Sequence, residues 1–101
     1  MLSRSFCADE MLVLIVYDIP NDKRRNKLAT FLEGYGRRVQ YSVFECFLEL
    51  GEMRELHQKL RTRVNEEEDN VRLYWISKDA LSRVLTIGSD RPQEPPATYI
   101  V

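Results

Sequence analysis

A single carboxylate, that of Asp18, stands where this sequence could most readily support chemistry. It follows the continuous apolar run 12–17, which predicts a buried strand, and Ile19 and Pro20 end that run. α/β folds place their sites at such strand ends, and magnesium is typically held by one or two carboxylates with water and substrate phosphate oxygens. Asp18 is therefore a candidate magnesium ligand. The competing interpretation is an aspartate whose side chain caps the following turn.

Arginine is dense in the segment that follows Asp18. Positions 21–40 hold six basic residues against two acidic ones, and 11 of the 15 basic residues in the whole chain are arginine. Because arginine binds phosphate oxygens in a bidentate geometry, this segment predicts contacts with a nucleic-acid backbone. The alternative is an ordinary solvated helix. The candidate nucleic-acid-binding residues are Arg24, Arg25, Lys27, Arg37 and Arg38.

Two aromatic residues, Tyr17 and Phe44, could stack on nucleic-acid bases or fill the core, and core packing is the more common role. The single histidine, His57, falls on the polar side of a predicted helix. The sequence contains no Cys/His cluster, no Gly-rich phosphate loop and no Ser/His/Asp set. Asp18 and the arginine-rich segment therefore remain the candidates for chemistry.

The composition bounds the class of protein. A chain of 101 residues is long enough for one domain, and 44% hydrophobic with 31% charged residues is a globular balance. The two cysteines, Cys7 and Cys46, indicate no disulfide framework, which fits a reducing cytosol. The apolar run 11–17 is too short to span a bilayer. We expect a cytoplasmic protein with no export signal and no membrane partner.

The elements that must position these residues alternate between strand and helix. The pattern predicts a strand at 12–17, a helix at 22–35, a long strand at 38–50, a helix at 52–64, and strands at 71–77 and 84–88. Taken literally, this order is βαβαββ, with a bulge expected near Phe44. The ferredoxin-like βαββαβ folds accommodate it best, although the helix at 52–64 follows the second strand directly, so the hairpin is expected after the strand at 71–77. The pattern predicts a two-layer α/β sandwich and leaves its connectivity open.

The ends of the first helix carry recognisable signals. Asn21 or Asp22 is expected to cap its start, since both side chains can accept hydrogen bonds from the first free N–H groups. Gly34 and Gly36 bracket its end, and one of them is expected to adopt the left-handed cap conformation.

Both faces of the first predicted strand are apolar, because Leu12, Leu14 and Val16 alternate with equally apolar neighbours. Two helices cover only one face of a sheet, so the other face is expected to be covered by a second subunit. The Pro-containing segment 89–101 predicts a linker followed by a strand that pairs with the partner's sheet edge. We therefore predict a homodimer, which could also bring two Asp18 carboxylates together.

Four runs of residues, in this order, closely resemble the CRISPR-associated protein two family. They are Val16-Tyr17-Asp18-Ile19, Lys23-Arg24-Arg25-Asn26-Lys27-Leu28, Leu32-Glu33-Gly34-Tyr35-Gly36 and Arg38-Val39-Gln40-Tyr41-Ser42-Val43-Phe44-Glu45. The resemblance is densest over 11–50, and the later helix and strands fit the family across nearly all of the remaining chain. Residues 1–10 lie outside the match.

The resemblance implies an α+β fold: a ferredoxin-like two-layer sandwich of βαββαβ type, with an extra C-terminal strand that adds to the dimer partner. It assigns to Asp18 the family's aspartate, a magnesium ligand and catalytic residue shared across the dimer. Tyr17, Arg25 and Phe44 fall on family motif positions near that site and would support it. The implied division is an N-terminal extension at 1–10, the ferredoxin-like domain at 11–88 and the linker with its strand at 89–101.

Members of this family are known as magnesium-dependent endoribonucleases, and some cut double-stranded DNA. In spacer acquisition, which serves antiviral defence, the dimer bridges two integrase dimers in a heterohexamer and holds the protospacer duplex. The resemblance thus implies a CRISPR adaptation protein whose partners are the integrase, double-stranded DNA and single-stranded RNA. Two alternatives stay open: a purely structural duplex-binding scaffold without catalysis, and a toxin-type ribonuclease of similar fold.

Overall fold

The computed structural model describes residues 11–93 of the chain. They form β1 (Met11–Asp18), α1 (Asp22–Leu32), β2 (Arg37–Gln40), β3 (Val43–Leu48), α2 (Leu50–Arg61), β4 (Asn70–Ile76) and α3 (Lys78–Leu81). The four strands make one antiparallel sheet in the order β2-β3-β1-β4. This is the βαββαβ arrangement, so the predicted α+β, ferredoxin-like fold is confirmed. The predicted extension at 1–10 and the predicted strand at 98–101 lie outside the described residues.

The single long strand predicted at 38–50 is wrong. The chain turns at Tyr41 and Ser42 and divides into the hairpin β2-β3. The sequence pattern did not predict this turn, because Tyr41 and Ser42 include no glycine, proline or asparagine, residues that commonly mark a turn. The irregularity in the ladder falls between Arg38 and Gln40 rather than near Phe44. Because the predicted strand is two strands, α2 follows the third strand of the chain, and the order of elements is βαββαβ rather than βαβαββ.

The strand predicted at 84–88 does not form within residues 11–93. This segment is irregular after α3, and Leu85 and Ile87 are 93% and 99% exposed. Strand propensity reflects packing on a pleated surface, and the segment has no such neighbour here. Instead Arg91 holds the segment to α3 by donating to the carbonyl oxygens of Val84 at 2.6 Å and Leu81 at 2.9 Å.

Asn21 caps α1 as predicted, since its side-chain oxygen accepts a hydrogen bond from the backbone N–H of Arg24 at 2.8 Å. The helix ends at Leu32, three residues earlier than expected. Neither Gly34 nor Gly36 has a positive φ, so the expected left-handed cap is wrong. The backbone N–H groups of both glycines instead continue helical bonding to preceding carbonyl oxygens.

Gly36 is required for a different reason, the close approach of the chain to β3. A Cβ atom at this position would lie 2.9 Å from the Cα of Cys46 and would collide with the carbonyl oxygen of Glu45. At Gly34 the nearest atom would be the Phe31 carbonyl oxygen at 3.5 Å, an ordinary contact. Gly36 thus lets β2 enter the sheet beside β3.

The two faces of the sheet differ sharply in burial. One face packs against α1 and α2, and five of its side chains are at most 3% exposed: Val13, Ile15, Tyr17, Phe44 and Cys46. We call the opposite side the open face; it carries Leu14 and Val16 of β1, Glu45 of β3 and Tyr74 of β4. Leu14 and Val16 are only half-buried and Tyr74 is 44% exposed, so apolar surface remains accessible there.

Burial shifts the pKa of one side chain on each face of the sheet. It raises the pKa of Glu45 on the open face, an effect that the nearby Arg37 partly offsets. In the core, burial raises the pKa of the Cys46 thiol to about 12. No helix within residues 11–93 is long and apolar enough to cross a membrane.

Candidate functional site

Asp18 is the last residue of β1, exposed, and opposite Asn70 of β4. Side chains alternate along a strand, so Asp18 shares the open face with Leu14 and Val16. Its carboxylate makes no hydrogen bond or ion pair to any other residue in 11–93. The turn-capping interpretation therefore finds no support, because Asn21 performs that role.

Within residues 11–93, Asp18 is a single candidate ligand for a metal at this end of the sheet. Residues 11–93 contain no group of three or more histidine, cysteine, aspartate or glutamate side chains able to hold a metal ion. Magnesium tolerates such a sparse site, since it keeps several waters and takes the remaining oxygens from substrate phosphates. Asp18 thus fits as one ligand of a shared site and does not fit a metal centre built by one chain alone.

The two candidate aromatic residues belong to the core. Tyr17 is 3% and Phe44 0% exposed, and their ring centroids lie 6.3 Å apart in a stacked arrangement. Burial raises the pKa of Tyr17, whose hydroxyl donates a long 3.4 Å hydrogen bond to the carbonyl oxygen of Tyr41. Neither ring can meet a base without unfolding. Their contribution is to hold the strand end that carries Asp18.

Arg25 fixes the loop that follows Asp18. Its guanidinium donates to the carbonyl oxygen of Ile19 at 3.1 Å and to the carboxylate of Asp22 at 2.6 Å. The hydrogen bond to Asp22 raises the pKa of Arg25. The Nε atom of Arg25 is buried and finds no partner within residues 11–93. Arg25 therefore spends most of its hydrogen-bonding capacity on the chain itself.

Arg24 is engaged by carboxylates. Its Nε and Nη2 donate to the two oxygens of Asp69 at 2.6 and 2.9 Å, and Nη2 also reaches Glu68 at 3.0 Å. The Asp69 side chain is fully buried, and the guanidinium of Arg24 holds the pKa of Asp69 below its ordinary value. Since two carboxylates offset its charge, Arg24 is poorly suited to hold phosphate; its predicted contact with nucleic acid stays a prediction.

The remaining basic candidates carry charge that no carboxylate in 11–93 pairs in a salt bridge. Lys27 lies on the exposed side of α1. Arg37 donates to the side-chain oxygen of Gln93 at 3.3 Å. Arg38 donates to the carbonyl oxygen of Tyr41 through Nε at 3.1 Å and Nη2 at 2.6 Å. These three cations remain available to an anionic ligand.

The register of the sheet brings part of the predicted set together. Val16 faces Val43, and the N–H of Tyr17 donates to the carbonyl oxygen of Ser42 at 3.1 Å, so the turn at Tyr41 and Ser42 lies beside the end of β1 that bears Asp18. The exposed Tyr41 was missing from the candidates, because the pattern assigned it to the interior of a strand.

Comparison with known proteins decides the family. The model of the CRISPR associated protein Cas2 family matches residues 11–84, most of the chain. The chain belongs to the Cas2 family. The predicted resemblance is thereby confirmed.

Relatives of this Cas2 family member include the CRISPR-associated endoribonuclease Cas2 3 of Synechocystis sp., 48% identical over 90 residues that cover 89% of this chain and 98% of the relative. The crystal structure of Streptococcus pyogenes Cas2 at pH 6.5 matches with a TM-score of 0.66 and 35% identity, covering 77% of this chain and 100% of that one. A chain in the structure of a partial Cas6-RT-Cas1–Cas2 complex matches with a TM-score of 0.66 and 36% identity, over 80% of this chain and 94% of that one.

Proposed function

We propose that this Cas2 family member is a cytoplasmic CRISPR adaptation protein: a homodimer that bridges two integrase dimers, holds protospacer DNA and cleaves phosphodiesters with magnesium at paired Asp18 residues. The observation that carries the proposal is the carboxylate of Asp18, which is exposed and has no partner within residues 11–93, at the end of the apolar open face. The similar chain from a Cas6-RT-Cas1–Cas2 complex supports the integrase partner. The relatives named endoribonuclease Cas2 support a nuclease.

The open face supports the homodimer. Leu14, Val16 and Tyr74 leave an apolar surface that α1 and α2 do not cover, and a two-fold axis lets such a surface meet its own copy. Asp18 lies at the end of this surface, so the axis would carry a second Asp18 towards the first. The segment 84–88 has strand propensity and no strand partner within residues 11–93, which leaves it available to a second copy.

The basic residues support a sequence-independent grip on nucleic acid. Lys27, Arg37 and Arg38 have no salt-bridge partner within the described chain and would contact phosphates, which carry no sequence information. Such binding weakens steeply as salt rises, since each contact releases counterions. Arg24 contributes to the fold rather than to this grip, because Asp69 and Glu68 offset its charge.

The proposed chemistry needs little from the chain itself. Magnesium, when bound, activates water and stabilises the charge that develops on the phosphodiester. Asp18 supplies a carboxylate oxygen, Arg25 fixes the loop beside it, and Arg38 offers a cation to a non-bridging phosphate oxygen. No obvious general base accompanies Asp18. A duplex-binding scaffold without catalysis is therefore the second candidate, whereas membership in a CRISPR family disfavours the toxin-type ribonuclease.

The test is Asp18→Asn and Asp18→Ala, assayed for cleavage of single-stranded RNA and duplex DNA with magnesium and with EDTA, and for spacer acquisition alongside the integrase. We expect both variants to lose magnesium-dependent cleavage by roughly 100-fold or more, as expected when a metal site is removed. Glu55→Gln, which removes an exposed carboxylate on α2, is the matched control and should cleave normally.

The outcomes separate the two candidate functions. Loss of cleavage together with loss of acquisition supports the nuclease. Loss of cleavage with intact acquisition would show that acquisition does not need catalysis. An unsubstituted protein that supports acquisition and cleaves neither substrate would favour the scaffold without catalysis. Cleavage that continues unchanged in both Asp18 variants would show that Asp18 is not the metal site, and no acquisition by the unsubstituted protein would remove the adaptation role.

A further inference from the structure

Tyr41 is the most exposed aromatic side chain in the described residues. Its side chain lies at the turn between β2 and β3 and is 64% exposed, against 44% for Tyr74 and 36% for Trp75. Because the residues in 11–93 leave the Tyr41 ring largely exposed, the ring contributes little burial of apolar surface to the stability of the fold. Exposure alone is common on protein surfaces, but the Tyr41 ring also stands on a fixed turn and has two guanidinium groups over it.

The backbone beneath the ring is held firmly. The carbonyl oxygen of Tyr41 accepts from the hydroxyl of buried Tyr17 at 3.4 Å and from Nε and Nη2 of Arg38 at 3.1 and 2.6 Å. The next residue, Ser42, accepts the N–H of Tyr17 at 3.1 Å. The turn is thus tied to the end of β1, and a ligand that binds the ring need not first order the loop.

Two guanidinium groups lie over this ring. The Cζ atom of Arg38 is 5.4 Å and that of Arg25 5.6 Å from its centroid, within the range of cation–π attraction. The carboxylate of Asp22 offsets the charge of Arg25, whereas the groups that Arg38 hydrogen-bonds among residues 11–93 are uncharged, namely the carbonyl oxygen of Tyr41 and the hydroxyl of Tyr17. The Arg38 cation, which no carboxylate in 11–93 pairs in a salt bridge, therefore lies over a ring whose side chain is still 64% exposed. A nucleotide presents the complementary pair, a base and a phosphate.

The position of Tyr41 connects it to the proposed site. The N–H of Tyr17 donates to the carbonyl oxygen of Ser42, so the turn that carries Tyr41 lies beside the end of β1 that bears Asp18. Bases within a duplex are stacked on their neighbours and cannot offer a face to a side chain, whereas unpaired bases can. The exposed ring of Tyr41 is therefore suited to a single-stranded nucleic acid, whose bases are unpaired.

We propose that Tyr41 stacks on an unpaired base of a single-stranded nucleic acid and that Arg38 binds the adjoining phosphate. The proposal rests on the proposed function, and it adds a specific contact that distinguishes single strands from duplex. Tyr41 touches the bound strand without taking part in bond breaking. Stacking depends on the ring and not on the hydroxyl group, so phenylalanine should replace it.

The experiment measures binding by fluorescence anisotropy in EDTA, so that cleavage cannot interfere. Three labelled probes are compared: a short oligothymidylate, the same strand with abasic sites, and a duplex of equal length. Tyr41→Ala should weaken binding of the oligothymidylate roughly 5- to 100-fold, the effect of losing one stacked base. Tyr41→Phe should bind it within about twofold of the unsubstituted protein. Neither variant should change binding of the abasic strand or the duplex by more than about twofold.

Arg38→Gln provides the matching test of the phosphate contact. It should weaken all three probes and reduce the salt dependence of binding, because phosphate is common to them. Unchanged oligothymidylate binding by Tyr41→Ala, or equal losses on abasic and intact strands, would overturn the stacking contact while leaving the proposed function intact. If the unsubstituted protein binds none of the probes, the proposed function fails and this inference fails with it. Thermal unfolding of each variant shows that a loss of binding does not come from a loss of fold.

Discussion

Arg24, in the first turn of α1, donates two hydrogen bonds to the buried carboxylate of Asp69, a residue 45 positions further along the chain. Asp69 also accepts the backbone N–H of Asn65 at 2.8 Å. These bonds fasten the loop before β4 to the helix after β1. Asp69 precedes Asn70, the residue opposite Asp18, so this contact joins α1 to the start of β4 beside Asp18.

Asp69→Asn should lower the free energy of unfolding at neutral pH by about 1–3 kcal/mol, because the charge-assisted bonds to Arg24 are lost. The pKa of Asp69 is lowered in the folded protein from its ordinary value of 3.8. The stabilisation is therefore present above that value and is lost as pH falls through the folded pKa. Urea unfolding at several pH values should show a weaker acid dependence in the variant. Glu68→Gln is the control and should cost less than about 1 kcal/mol, since its carboxylate is largely exposed.

Gly36→Ala should destabilise the protein strongly. The new Cβ atom would collide with the backbone of β3 at Glu45 and Cys46, and overpacking of this kind costs about 1–3 kcal/mol. Gly34→Ala, two residues earlier, meets only the Phe31 carbonyl oxygen at 3.5 Å and should be tolerated. Thermal unfolding of the pair measures the difference. Equal melting temperatures would contradict the close approach of β2 to β3.

Leu14→Glu should abolish the proposed homodimer. A charge in the centre of the open face would have to be desolvated on association, at a cost of several kcal/mol. Thr30→Glu adds the same charge on the exposed side of α1 and should leave association unchanged. Sedimentation equilibrium across a range of concentrations distinguishes monomer from dimer. A Leu14→Glu variant that remains dimeric would move the interface away from the open face.

Lys27→Glu and Arg37→Glu should each weaken duplex binding and reduce the salt slope of the binding constant by about 1 or more, as expected when a phosphate contact is lost. Arg24→Gln should leave that slope unchanged and instead lower the melting temperature, because its charge is already offset by Asp69 and Glu68. Titration of duplex DNA at several salt concentrations separates the two classes. A reduced slope in Arg24→Gln would return Arg24 to the contact surface.

The sequence alone predicted the features that depend on residues close to each other in the chain. The apolar run after Met11 predicts β1, Asn21 predicts the start of α1, and the end of that strand draws attention to Asp18. Periodicity and capping are decided by residues within a few positions of each other, so they can be read from one sequence. The order of several motifs also indicated the family, which the comparison confirmed.

Only the folded chain decided the features that depend on distant partners. The turn at Tyr41 carries no local turn signal and forms because β2 finds β3 as its neighbour. The segment 84–88 has the composition of a strand, but no described strand pairs with it. Arg24 looked like its neighbours in the basic segment until Asp69, far along the chain, was brought beside it. Strand pairing and burial of charge are set by contacts between remote residues, and spacing along the sequence does not encode them.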